Sequence, residues 1–387
     1  MEKIVHISID SVFTDGWSYQ DQLLSKYHKK MGLDVTVITS HFIYNDAGAF
    51  AWDDRNEYVN DDGVKVVRLN MYGKEQLTRK FKRFKGVYEA LDKEQPDIIF
   101  LHGANLLDNT VVVKYMKSHP DVTLYVDNHA DFSNSGKNWV SKHILHKHIW
   151  KHYAQILVPY TKTFYGVMPS RVDFLRDVYD IPAEKLQLLV MGVDDDEVQT
   201  ALSSDTRDEI RKKYNIADDD ILIITGGKID LFKKQTVTLM KAVNALSNPK
   251  VKLIVFGSVV DELKDAVNAQ CSDRCQYIGW IDSKKTLNYY GASDLVVFPG
   301  RHSVFWEQVV GIGKPMICKY WDGTTHVDLG GNVKFLYKDT EEELVEVLTD
   351  LINSPEEFNK MKQIAEEKGM KYFSYSGIAK QSLGVEQ

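Results

Sequence analysis

At 387 residues the chain exceeds the roughly 250–300 that one hydrophobic core usually fills, so two domains are expected. The formal net charge of −7 disfavours a general nucleic-acid binder. Three cysteines (Cys271, Cys275 and Cys318) make neither a disulfide framework nor a four-ligand zinc site, and no apolar run reaches the roughly 18 residues of a membrane span. The opening "MEKIVHISID" reads as a strand rather than a secretory leader, so a reducing, cytoplasmic location is the expectation.

Strand-like and helix-like runs then alternate. Strands are predicted over 3–10, 34–40, 64–70, 97–103 and 123–131, with helices over 19–31, 75–92, 109–118 and 139–153. Such alternation predicts a parallel sheet covered by helices. Residues 192–220 are acidic and carry no strand. The alternation then restarts, with strands over 221–227, 251–258, 275–281, 294–300 and 314–320 separated by helices. The expected architecture is α/β, two Rossmann-like domains facing across a cleft. The amino-terminal domain takes 1–193 and the carboxy-terminal domain 194–371, with a last helix over 372–387 packing back on the first.

The joint "GGKIDLFKK" follows the buried-strand pattern "DILIIT" and precedes an apolar-periodic helix. In open α/β sheets ligands gather at strand carboxyl ends, and anions favour helix amino termini. Gly226 and Gly227 there, with Lys228, Lys233 and Lys234, suit a phosphate; the alternative is an ordinary βα turn with solvated lysines. His129 stands at the end of "TLYVDNHAD", flanked by Asp127 and Asp131, either of which could orient its ring. Gly16 lies in the first βα loop, beside Trp17 and Ser18.

Five stretches, in order, resemble one family. "GGKIDLFKK" is similar to the Gly-Arg-Leu…Lys opening of the nucleotide-sugar domain of GT-B glycosyltransferases of the large fourth, retaining family, with Lys228 in the arginine's place. "VMGVD" (190–194) resembles its interdomain segment and "YIGWI" (277–281), ending in Ile281, its Leu-Gly-hydrophobic turn near the base. "DLVVFPGRHSVFWEQVVGIGKPMI" (294–317) resembles the segment carrying two glutamates. Residues 15–40 resemble the opening loop and helix, and "DNHAD" (127–131) the strand end carrying a histidine.

The resemblance implies a retaining hexosyltransferase that needs no metal cofactor. It would move sugar from a nucleoside diphosphate (NDP) sugar to a glycan or lipid-linked acceptor in cell-surface polysaccharide synthesis. Lys228 and Lys233 would meet the diphosphate, with Lys234 as the register alternative, aided by Gly227 and by backbone N–H groups of the loop 300–304, including Ser303 and Val304. His129 would reach the sugar or acceptor, Gly16 the donor phosphate or acceptor, and Glu307 the ribose. Two departures stand out. The first glutamate is missing, since Pro299 stands eight residues before Glu307; and Glu307 lies eight residues before Pro315, where the family's spacing of seven would select Gln308. His302 is the expected substitute for the missing contact.

The acidic clusters "DDDE" (194–197) and "DDD" (218–220) are not expected to hold a metal, because hard cations need convergent oxygens near the substrate. Basic, aromatic stretches at 77–91 and 139–154 suggest docking on an anionic membrane surface. Alternatives are a GT-B NDP-sugar epimerase and a non-catalytic sugar-nucleotide-binding or scaffold protein.

Overall fold

The computed structural model describes residues 1–9, 11–45, 49–72, 83–136, 138–232 and 234–385. The chain forms two compact units, Met1–Val190 with Ile378–Gln387, and Met191–Gly377. The division thus falls at 190/191 where 193/194 was expected, and the chain rejoins the first unit at Ile378, where about 372 was expected. Among the described residues no helix is long and apolar enough to cross a membrane.

Among the described residues the main sheet of the first unit has eight strands: β1 (Lys3–Ser8), β2 (Asp34–Ser40), β3 (Glu57–Val59), β4 (Lys65–Leu69), β5 (Ile98–His102), β6 (Thr123–Asn128), β7 (Thr161–Gly166) and β8 (Leu186–Leu188). Their order is β8-β7-β6-β5-β1-β2-β4-β3, parallel except for β3 against β4. Helices on both faces bury the central strands, which is why β5 reads as the unbroken run "IIFLH". The chain winds outward from β1 in one direction and from β5 in the other, so the β1/β5 boundary is the sheet's switch point. The helices α1 (Gln20–Lys30), α2 (Val87–Glu94) and α3 (Asn109–Ser118) are described here. The helix expected over 75–92 lies partly outside the described residues; its described part is α2, which begins after Gly86 at φ 85°. The stretch expected as a helix over 139–153 winds as a π-helix over Ser141–Trp150 and continues as α-helix over Lys151–Gln155.

Among its described residues the second unit carries six parallel strands: β9 (Ile221–Gly226), β10 (Val251–Phe256), β11 (Cys275–Tyr277), β12 (Leu295–Phe298), β13 (Met316–Lys319) and β14 (Val333–Leu336). Their order is β11-β10-β9-β12-β13-β14, with the switch point between β9 and β12. α4 (Gln235–Ala245) follows β9, α5 (Phe305–Gly311) follows β12, and α6 (Pro355–Phe373) and α7 (Tyr375–Ser382) close the chain.

Both acidic clusters have structural partners. Asp194 caps the helix Asp195–Ala201 by accepting the Asp196 N–H at 3.2 Å, and Asp195 accepts the Ser374 hydroxyl at 2.7 Å and the Tyr375 N–H at 3.0 Å. Asp220 accepts the Ala217 N–H at 2.8 Å, and Asp219 pairs with Lys250.

α5 and α6 meet with almost no space between their backbones. A β-carbon on Gly369 would stand 1.9 Å from the Val310 carbonyl oxygen, which belongs to a buried helix and has no flexible side chain to move aside. Alanine would gain about 1 kcal/mol of helix propensity, but a clash with backbone at 1.9 Å opposes it by the upper part of the usual overpacking range, roughly 2–3 kcal/mol. Gly369→Ala is therefore expected to lower stability by about 1–2 kcal/mol, read as a drop of several degrees in melting temperature. An unchanged or raised melting temperature would show that the two helices separate freely.

Candidate active site

In the second unit the strand ends at the switch point border an open concavity, the place where ligands gather in sheets of this kind. Gly227, Lys228, Phe256, Pro299, Arg301 and Ser303 are among its lining. The glycines of the β9 joint serve this shape. A β-carbon on Gly226 would enter the Phe256 ring at 2.1 Å, and one on Gly257 would stand 1.9 Å from the Gly227 carbonyl oxygen. With Gly227 at φ 120° and Gly257 at φ 129°, the ends of β9 and β10 approach at backbone distance, as L side chains would not permit.

Lys228 keeps 63% of its side-chain surface exposed and has a loose 3.9 Å contact with Asp230, so its ammonium can turn toward an anion in the concavity. Arg301 also lines it, its guanidinium 4.8 Å from the centre of the Phe232 ring. Lys234 lies elsewhere, before α4, facing a second concavity with Asp339 and Leu263. Lys233 lies outside the described residues. Ile281 follows the turn at Gly279, whose carbonyl accepts the Gly257 N–H at 2.8 Å, and is not among the lining residues. Val304 occupies the N-cap position of α5 without a side-chain cap, so Ser303 is not the capping residue; it is among the residues that line the concavity.

Glu307 is fully buried and is not among the lining residues. Its Oε1 accepts N–H bonds from Nε2 of His302 and Nε2 of His326, both at 2.8 Å. Burial alone would raise its pKa, but the charge and hydrogen bond of His302, with those of His326, hold it at about 2. The expected ribose contact thus meets a carboxylate with one oxygen already engaged, and Gln308, the register alternative, is buried as well. What Glu307 does here is orient two histidines. His302, packed edge-on against Trp306 at 5.0 Å, is the more exposed of them.

The first unit has a corresponding arrangement at the carboxyl ends of β5 and β6. His129 is 39% exposed at the side chain, and its Nε2 lies 3.3 Å from Oδ2 of Asp127. Asp127 is fully buried; Oδ2 also accepts from Nδ1 of His102 at 2.7 Å, and Oδ1 from the Gly103 N–H at 3.1 Å. Burial pushes the Asp127 carboxyl up, yet the two histidines outweigh it and hold it well below the carboxylate range. Of the two aspartates flanking His129, Asp127 therefore orients it. Asp131 instead accepts the Ser133 and Asn134 N–H groups and the Arg171 guanidinium. Gly16 sits in a tight turn at φ 76°, followed by Trp17 stacked on Tyr44 at 5.0 Å.

Three groups escaped the sequence reading. Arg301 stands between two residues that were singled out, and a cation in the loop after β12 was a usable signal. His102 ends a strand beside the switch point, the same positional cue that selected His129. His326 lies in the loop "GTTHVDLGG", which offers no local signal.

Comparison with known proteins places these features in a family. Residues 22–197 match the model for Glycosyltransferase Family 4 and residues 206–368 that for Glycosyl transferases group 1. No curated protein sequence matches the chain significantly. Among solved structures, sucrose-phosphate synthase from Thermosynechococcus elongatus superposes with a TM-score of 0.69 at 14% identity, over 99% of this chain and 98% of that one. Anabaena Alr3699/HepE in complex with UDP gives 0.68 at 15%, over 99% and 98%. WaaG, a glycosyltransferase involved in lipopolysaccharide biosynthesis, gives 0.68 at 14%, over 99% of each chain. At such identities the likeness shows the GT-B fold, while the two family models, which between them take in nearly the whole chain, carry the assignment. The protein belongs to the GT-B glycosyltransferases of family 4, group 1, and its function is sugar transfer.

Proposed function

We propose that the protein is a retaining hexosyltransferase that takes its sugar from an NDP-sugar without a metal cofactor and delivers it to a glycan or lipid-linked acceptor in cell-surface polysaccharide synthesis. The observation that carries this is the cationic concavity between β9 and β12, lined by Lys228, Arg301 and Ser303. HepE, described with UDP and with UDP-glucose, is consistent with a diphosphate there.

As the bond to the leaving phosphate breaks, negative charge grows on the diphosphate and positive charge on the anomeric carbon. Lys228 and Arg301 meet the first, assisted by Lys233. Side-chain cations placed beside the diphosphate take the role that a bound cation has in other transferases. Retention follows from attack on the face that the leaving group departs, a phosphate oxygen helping to remove the acceptor's proton, so no protein nucleophile is needed. His129, with its Nε2 proton directed to Asp127, has Nδ1 as its basic nitrogen and contacts the sugar or acceptor. His302, held by Glu307, takes the sugar hydroxyls in place of the missing glutamate.

A second reading rests on one observation. Pro299 and Gly300 offer no side-chain acceptor where the family has its first glutamate, which favours a non-catalytic sugar-nucleotide-binding protein. As part of the transferase proposal, the protein docks on the cytoplasmic face of an anionic membrane. The segment 139–155 exposes Trp139, Val140, Ile144 and Ile149 alongside Lys142 and Lys147, and contains no acidic residue. Of the other basic stretch, 77–91, residues 77–82 lie outside the described residues.

In a transfer assay over a panel of NDP-sugars, Lys228→Ala and Arg301→Ala are each expected to cut turnover about 100-fold or more with the fold intact by circular dichroism, because each removes a charge aimed at the leaving group. Near-wild-type rates in both would overturn the phosphate reading, and absence of transfer or donor hydrolysis alongside tight nucleotide binding would favour the second one. Turnover should persist in excess EDTA; loss that manganese or magnesium restores would reverse the metal-free assignment. Lys142→Glu with Lys147→Glu should release the protein from phosphatidylserine vesicles at low salt and leave nucleotide affinity unchanged, whereas undiminished vesicle binding returns these lysines to an ordinary solvated face.

A further inference from the structure

Behind Asp127 a line of histidines runs into the core of the first unit. His102 Nε2 lies 3.0 Å from Nδ1 of His6, and His6 Nε2 lies 2.9 Å from Nδ1 of His28. His28 Nε2 lies 3.1 Å from the carbonyl oxygen of Ala379 and 2.9 Å from Oγ of Ser382, both in the part of α7 that belongs to this unit. His6 and His28 have no exposed surface and His102 only 3%. Sequence-wise the three are remote, contributed by β1, α1 and β5 at the switch point.

The two ends of this line fix its protons. The Ala379 carbonyl can only accept, and so can ionised Asp127. Ser382 donates its own hydroxyl proton to Ala379 at 2.8 Å and is left to accept from His28. His28 therefore carries its proton on Nε2 and accepts on Nδ1, and His6 carries its proton on Nε2 and accepts on Nδ1. His102 must then donate from Nε2 to His6 and from Nδ1 to Asp127. The two contacts between rings and the two at the ends need four N–H protons, whereas three neutral imidazoles supply three.

We infer that His28, His6 and His102 form a buried relay that holds one excess proton on His102 against Asp127, and that this balanced charge keeps His129 neutral and its Nδ1 free for the reaction. His6 and His28 are thus positioning residues, acting through His102 and Asp127. The part concerning His129 rests on its role in the proposed function; the proton count does not. Other charges agree with the arrangement. Burial, with the neighbouring rings, keeps His6 well below the ordinary imidazole value, and burial brings His28 to about 4, so neither competes for the proton. Burial also opposes charge on His102, but the Asp127 charge and hydrogen bond outweigh it, with Asp21 on α1 adding in the same direction. The Phe100 ring stacks on His6, and the rings of Tyr125 and Tyr165 stack on Phe100 in turn.

The excess proton can leave only by a concerted shift: His102 Nε2 hands its proton to His6, His6 Nε2 hands its own to His28, and the His28 Nε2 proton departs. The Ser382 hydroxyl then turns to donate to His28, His102 faces Asp127 as a neutral donor, and the Ala379 carbonyl loses both donors, which is the cost that holds the proton in place. Asp127 then confronts His129 with an unbalanced charge, which favours the protonated form of His129.

Long-range proton–nitrogen correlation NMR of histidine-labelled protein between pH 6 and 8, assigned with single His→Gln variants, tests the first part. The relay predicts an imidazolium at His102 and single Nε2–H tautomers at His6 and His28; three neutral rings would overturn it. The pH profile of turnover tests the second. His6→Phe keeps an aromatic ring in the stack but removes the acceptor for His102, so the acid limb should move up by about one pH unit with little change in donor KM. His6→Gln, which can accept from one neighbour and donate to the other, should restore the wild-type limb. A limb that stays fixed in His6→Phe overturns the positioning role. If His129→Ala leaves turnover and its pH profile intact, the catalytic reading of His129 fails, while the NMR charge on His102 still decides the relay.

Discussion

A carboxylate sealed from water must find its counter-charge inside the fold, and each unit is arranged around one such group. Asp127 and Glu307 are both fully buried, and each accepts hydrogen bonds from two imidazole rings. An unpaired carboxylate in such a place would take up a proton or unfold its surroundings. Pairing it with histidine has a different effect from pairing it with arginine. The ring is anchored by one nitrogen and presents the other, so the buried charge fixes which nitrogen is the base. In both units one histidine of the pair is more exposed than its companion, His129 in one and His302 in the other.

These placements depend on the parallel sheets. All strand carboxyl ends of one sheet point the same way, so residues far apart in sequence meet wherever the winding reverses. His6, His102 and Asp127 come together because β1, β5 and β6 are neighbours, and His102 stands directly opposite Asp127 in register. Lys228 and Arg301 come together because β9 and β12 are neighbours.

The sheets were legible in the sequence because buried parallel strands leave dense β-branched runs, as in "ILIITG" and "VKLIVF". What alternation could not show was the short antiparallel β3, whose burial pattern of exposed, intermediate and exposed residues resembles a loop, or the π-helical winding of Ser141–Trp150, which depends on packing rather than period. The place of Lys228 beside a concavity was legible from its position at a strand end. Glu307 was visible as a residue but not as an environment. Its partner His326 lies 19 positions on, in a loop, and only the folded chain brings them within bonding distance. The histidine line is the clearest case of this kind, since His6 in "KIVHIS" and His28 in "SKYHKK" each read alone as an ordinary core or helix residue.

The backbone-distance approach of Gly227 and Gly257 bears on how the neighbouring concavity can be diversified. One wall of the concavity is main chain, which substitution cannot reshape without moving two strands; the other comes from side chains of the loop after β12. Mutational libraries aimed at reshaping it are best concentrated on Arg301 and Ser303, with Gly226, Gly227 and Gly257 held constant. Variation then falls where the chain can absorb it, and the scaffold that presents the site is inherited unchanged by every member of the library.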